Sequence, residues 1–153
     1  MPIFQSEAAR GLITPPMPIF AGAPTVWRYT QLIPATGLLV NDIFELAAIP
    51  ANMRVAELVL DSDDLDSNGT PLITLAVGIM SGQWGDTSQS RTCGAEFFSG
   101  LQIARTGGVA TPSLASAYRT GKAAFARSIG VQITALAATA VAGTIGLTVT
   151  CVD

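Results

Sequence analysis

The chain has 153 residues, one domain's worth, and a chain of that size buries roughly two thirds of its unfolded surface without help from metal or disulfide. Apolar residues make up 49% and charged residues 12%, with eight basic against eleven acidic side chains and no histidine. The missing histidine excludes Ser-His-Asp and Cys-His chemistry in their usual form, and basic residues scattered singly exclude the clustered face that nucleic acid requires.

Residues 1–24 are read as an extended N-terminal arm. They hold five prolines, Pro2, Pro15, Pro16, Pro18 and Pro24, each of which fixes φ and removes a backbone donor. Met-Pro-Ile-Phe occurs at residues 1–4 and again at 17–20. A solvated linker does not usually spend Ile3, Phe4, Ile19 and Phe20 in this way, so these four are candidate partner-binding residues on a tail that docks on a neighbouring subunit. The other reading is that the arm packs along its own domain. No basic stretch followed by an apolar run marks a secretory signal, and a cytoplasmic site of synthesis is expected.

Residues 25–153 read as a single β-domain. Period-two alternation places strands at 25–33, 38–47, 54–61, 72–80, 125–135 and 144–152, separated by turn signals at Pro34, Gly37, Pro50, Asn68-Gly69 and Gly82. Ile73, Leu75, Val77 and Ile79 form the clearest inward row. Between 81 and 121 the pattern weakens, with one short helix expected over 95–104 and Trp84 in a glycine-flanked loop as a further candidate contact. Residues 128–152 carry no charge and are long enough to span a bilayer. Their glycines, threonines and period of two instead predict a β-hairpin with an Ala-rich connection at 136–143. Strands at this spacing without βαβ alternation predict an all-β sandwich or jelly roll.

The acidic loop after the third strand concentrates the chain's ligand chemistry. Asp64, Asp66 and Asn68-Gly69 match the opening of a calcium loop, but the position that needs a bidentate Glu is Leu75, inside a strand row. These three residues are therefore only weak metal candidates. The preferred reading is a surface turn in which Asp and Asn bond their own backbone, Asn68-Gly69 supplies positive φ, and single Asp-to-Asn changes cost little. Adjacent Asp63 and Asp64 point apart and do not form an acid/base pair. Arg119 to Lys122 is similar to the end of a phosphate loop, but Ser116 stands where the first Gly should be and Ala123 where Ser or Thr should be. Cys93 and Cys151 have no CxxC spacing and are read as free buried thiols.

Residues 49–82 (IPANMRVAELVLDSDDLDSNGTPLITLAVGIMSG) together with 135–149 (ALAATAVAGTIGLTV) resemble small structural proteins of tailed bacteriophages, in which a closely similar phrase precedes a Thr/Ala/Gly-rich final strand pair. The resemblance covers about half the chain and brings no catalytic or cofactor-binding residues. It implies a non-enzymatic virion component of the capsid decoration, or cement, type on the outer capsid surface. The partners then expected are the major capsid protein and other copies of the chain, as homodimer or homotrimer, with no nucleic acid and no membrane. The alternatives are another virion part, such as a head-tail or tail protein, a calcium- or carbohydrate-binding β-module, and an enzyme.

Overall fold

The computed structural model describes residues 3–13 and 23–153. Nine strands run in chain order: β1 Ile3–Gln5, β2 Thr25–Ile33, β3 Ile43–Ile49, β4 Arg54–Ser62, β5 Thr74–Ile79, β6 Phe98–Leu101, β7 Gly108–Ala110, β8 Arg127–Ala135 and β9 Gly143–Val152. They form a five-stranded sheet in the order β1-β3-β8-β5-β6 and a four-stranded sheet in the order β2-β9-β4-β7. The pairs β5–β6, β4–β7, β3–β8 and β2–β9 are all antiparallel and nest one inside another. A long hairpin folded over so that it splits between two facing sheets is a jelly roll, the particular form of sandwich that this chain adopts.

Alternation supplies the core. From β5 and β8 the inward row is Leu75, Val77, Ile129, Val131 and Ile133, and from β4 and β9 it is Val55, Leu58, Leu60, Ile145, Leu147 and Val149, all buried. Removal of these rows from water is the main driving force for the fold. β3 departs from the pattern, since all seven of its residues are buried. Ser6 continues along its edge, and the long β5–β6 connection folds back over its outer face, where Gly85 and Arg91 bond the Glu45 carboxylate. The fit there is close. A Cβ on Gly78 would lie 2.2 Å from the Gly94 carbonyl carbon, so only glycine permits that connection to lie flat on β5.

Four expectations change. β8 and β9 are not partners in a hairpin; each belongs to a different sheet, and residues 136–142 cross between them. Period two identifies a face and not a neighbour, so the pattern fits either arrangement. The helix expected over 95–104 is replaced by β6 and a 3₁₀ turn at Ile103–Arg105. β3 begins at Ile43 because Asn41, at φ 72, and the bond from the Asp42 amide to the Leu39 carbonyl make a turn first. Gly69 is not among the residues with positive φ, and nothing crowds it.

Part of the arm lies among the described residues. Ile3–Gln5 pairs in parallel with β3, Phe4 stacks on Phe44 with ring centroids 5.0 Å apart, and residues 7–11 turn beside β2. The other half of the repeat, Ile19 and Phe20, lies outside the described residues. Residues 128–152 form two strands, and no helix among the described residues is long and apolar enough to cross a membrane.

Two glycines therefore separate sharply. Gly78→Ala is expected to lower stability by roughly 2–3 kcal/mol, the cost of overpacking a filled site, whereas Gly69→Ala stays within about 0.5 kcal/mol. Denaturant unfolding of the two variants checks this, and equal effects would remove the close-approach assignment.

Candidate functional site

The acidic loop has a different task from ligand capture. Asp66 is 1% exposed, and its carboxylate gathers five backbone N–H groups from three stretches of chain. Oδ1 accepts from Asn68 at 3.4 Å and Thr139 at 2.8 Å, while Oδ2 accepts from Leu72 at 2.7 Å, Ile73 at 3.2 Å and Ala138 at 2.8 Å. Burial by itself would raise the pKa of this carboxyl. The N–H groups of Thr139, Ala138, Leu72 and Ile73 outweigh burial and hold the group well below the usual carboxylate range. Further bonds join the β4–β5 and β8–β9 connections around it, from the Ser67 amide to the Thr139 carbonyl and from the Val141 amide to the Leu65 carbonyl.

The flanking acidic residues are also occupied. Asp64 Oδ1 accepts from the Asp66 amide at 2.9 Å, and Asn68 Oδ1 from the Thr70 amide at 2.9 Å, the local Asx turns that such residues favour. Asp63 accepts from the Thr144 amide at 2.7 Å. Asp61 forms a two-toothed pair with Arg28, at 2.5 and 2.7 Å, across Gly146. Of the weak metal candidates, Asp66 faces amide hydrogens and Asp64 and Asn68 turn an oxygen to their own backbone. No group of three or more His, Cys, Asp or Glu side chains suited to a metal gathers among the described residues. The surface-turn expectation thus fails at Asp66, which is a buried anchor.

A second buried centre lies under the β5–β6 connection. Glu45 and Arg91 pair at 2.8 Å with side chains 0% and 2% exposed. Glu45 also accepts from the Gly85 amide at 3.1 Å, from Gln5 Nε2 at 2.8 Å and from the Ser128 hydroxyl. Arg91 completes its donors with the Ser81 and Asp86 carbonyls, at 2.7 and 2.8 Å, and with Ser128 Oγ at 2.8 Å. Sequence reading missed it, although a lone Glu within the apolar run Ile43–Ile49 is itself the signal, because a buried charge requires a partner.

Trp84 is half-buried and packs within its own chain, meeting Tyr29 edge-on at 6.3 Å, while its amide donates to the Ala126 carbonyl at 3.0 Å. Both cysteines are free. Burial pushes the Cys93 thiol up to about 12 and the Cys151 thiol up to about 11, far from the thiolate that nucleophilic chemistry needs.

Exposed apolar side chains gather at the end of the sandwich where the β2–β3, β4–β5 and β8–β9 connections meet. Leu39 and Val40 come from the first, Leu72 from the second, and Leu136 and Val141 from the third. Leu136 and Val141 also line an apolar recess of about 120 Å³, together with Ile33, Leu38, Leu65, Ile133 and Ala140 among others. This end carries surface of the kind that partners cover.

The anchor at Asp66 makes stability depend on pH with a definite sign. Its folded pKa is depressed, so its contribution is complete above the ordinary value of about 4 and is lost as pH falls toward the folded value. Asp66→Ala, which strands five donors, should cost roughly 3 kcal/mol or more at pH 7, and the deficit of Asp66→Ala relative to wild type should shrink as pH falls below about 4. Asp64→Asn stays within about 0.5 kcal/mol, and chelator leaves the melting temperature of the wild type unchanged. Unfolding curves between pH 2 and 7 read all of these.

Two solved phage structures share this architecture. One is a chain in the capsid of Ralstonia phage GP4, matched at 40% identity and a TM-score of 0.92 over 99% of this chain and 97% of that one. The other is a chain in the capsid asymmetric unit of cyanophage Pam1, matched at 25% identity and a TM-score of 0.64 over 92% and 91%. No family model and no curated protein matches the chain. With the jelly roll, the charge-poor surface and near-complete alignment to a capsid chain at 40% identity, the chain belongs to the phage capsid protein family represented in the Ralstonia phage GP4 capsid and is a virion structural protein.

Proposed function

We propose that the chain is a capsid decoration, or cement, protein that seats on the outer surface of the major capsid protein lattice and stabilises it without catalysis. The observation that carries this reading is the apolar end at which Leu39, Val40, Leu72, Leu136 and Val141 are exposed and Leu136 and Val141 line a shallow recess. An end-on apolar contact with a polar rim has the anatomy of a specific interface. Lateral pairing is blunted on two of the sheet edges, where β6 and β7 are four and three residues long. A subunit built this way adds to a surface through one end more readily than it closes a continuous shell through its flanks.

Two experiments test the proposal. Substitution of Leu72→Asp or Val40→Asp is expected to reduce co-sedimentation with capsids assembled without the chain by at least tenfold, with the melting temperature nearly unchanged because both side chains are exposed. Expression of the remaining head proteins without this chain is expected to yield closed shells of reduced stability to heat or chaotrope. Absence of shells would identify the chain as shell-forming and sink the decoration reading.

A further inference from the structure

β7 pairs with β4 only at Leu60, Asp61 and Ser62. Pro112 follows two residues after β7 and has no N–H with which to extend the ladder, and the chain then leaves into the 3₁₀ turn Ala115–Arg119. On the side away from β9, residues 55–59 of β4 consequently have no main-chain partner among the described residues. A groove of about 310 Å³ runs along this edge, lined by Val55, Val59, Phe97, Pro112, Ala117 and Tyr118 among others. Its far wall is fixed in place, since the Tyr118 hydroxyl donates to the Pro112 carbonyl at 2.9 Å and the Ser116 hydroxyl to the Glu96 carbonyl at 2.7 Å.

An open strand edge with apolar side chains is a template for one more strand. Phe97, Ala117 and Tyr118 stand opposite this edge across the groove, and an isolated extended segment fits between two such walls more readily than the edge of a folded sheet. Glu57 also lines the groove, is exposed, and forms no ion pair among the described residues. A complementary segment therefore carries Lys or Arg opposite it. This chain is itself acidic, at net charge −3. Its described N-terminal segment is tied to its own sheet by the bonds from the Ser6 amide to the Glu45 carbonyl and from the Ser6 hydroxyl to the Leu46 carbonyl.

We propose that the groove beside β4 receives an extended, apolar, Lys- or Arg-bearing segment of the capsid lattice protein, which adds to the four-stranded sheet by main-chain pairing along residues 55–59. The proposal rests on the decoration reading and names the chemistry of the contact. Amide hydrogen exchange of the full chain, free and bound to capsids assembled without it, tests the proposal, with co-sedimentation followed on the same samples. Groove-facing amides among residues 55–59 are expected to exchange at least tenfold more slowly on the capsid. Glu57→Lys is expected to weaken co-sedimentation at least fivefold, with Glu57→Gln intermediate and both melting as wild type does. Binding without protection of those amides overturns the groove assignment and leaves the decoration reading standing, whereas absence of binding overturns both. Protection that appears in the free protein on raising its concentration assigns the groove to a second copy and overturns the choice of partner.

Discussion

One buried carboxylate ties together two of the connections that carry the chain between the sheets. A rolled hairpin must carry its chain from one sheet to the other several times, and each crossing leaves backbone donors without a ladder partner. Among the crossings that meet at one end of this molecule are those from β4 to β5 and from β8 to β9, and Asp66 accepts N–H groups from both. Five donors converge on one ionised group, which makes each bond charge-assisted. The strong depression of its pKa follows from the same geometry, despite the opposing effect of burial. Since residues 136–142 are rich in alanine and have few side-chain donors of their own, the anchor also fixes the conformation of the connection that displays Leu136 and Val141.

The Glu45–Arg91 pair solves a different problem. Replacing a buried ion pair with apolar residues is often neutral or stabilising, so its presence is weak evidence for stability in itself. Its value here lies in what it joins. Glu45 belongs to β3, Gln5 to β1, Ser128 to β8, and Ser81, Gly85, Asp86 and Arg91 to the β5–β6 connection. A hydrophobic replacement would keep the volume but lose the directional bonds that hold the covering connection and the N-terminal strand in register. The pair thus joins the covering connection, β1 and β8 to β3 on the outer face of the five-stranded sheet.

Most strands were legible because their periodicity reflects a half-buried surface. β2 and β9 appear within a residue of the stretches that alternate, and β4 and β5 within two. What the alternation does not contain is the identity of a strand's neighbour, so β8 and β9 read as a hairpin although they face each other across the core. Asp66 was misjudged for a related reason. Five Asp and Asn residues within a short loop look alike in sequence, and only the approach of residues 138–139, more than seventy positions later, buries one of them and leaves the others at the surface. Gly69 was given a backbone role that Asn41, Asn52 and several other glycines hold instead.

Interfaces in a charge-poor jelly roll must arise where the fold leaves its hydrogen-bonding or apolar capacity unused. The crossing connections bring apolar side chains to one end while buried carboxylates accept their backbone N–H groups, Asp66 those of Leu72, Ile73, Ala138 and Thr139 and Asp42 that of Leu39. The early end of β7 leaves a strand edge open because Pro112 cannot extend pairing along β4. These two surfaces differ in kind. The first offers apolar area and shape, and the second offers a directional row of unpaired main-chain groups. A subunit that combines both on a body held rigid by two buried carboxylates is suited to a fixed position on a repeating lattice, where the same contact must recur identically at every site.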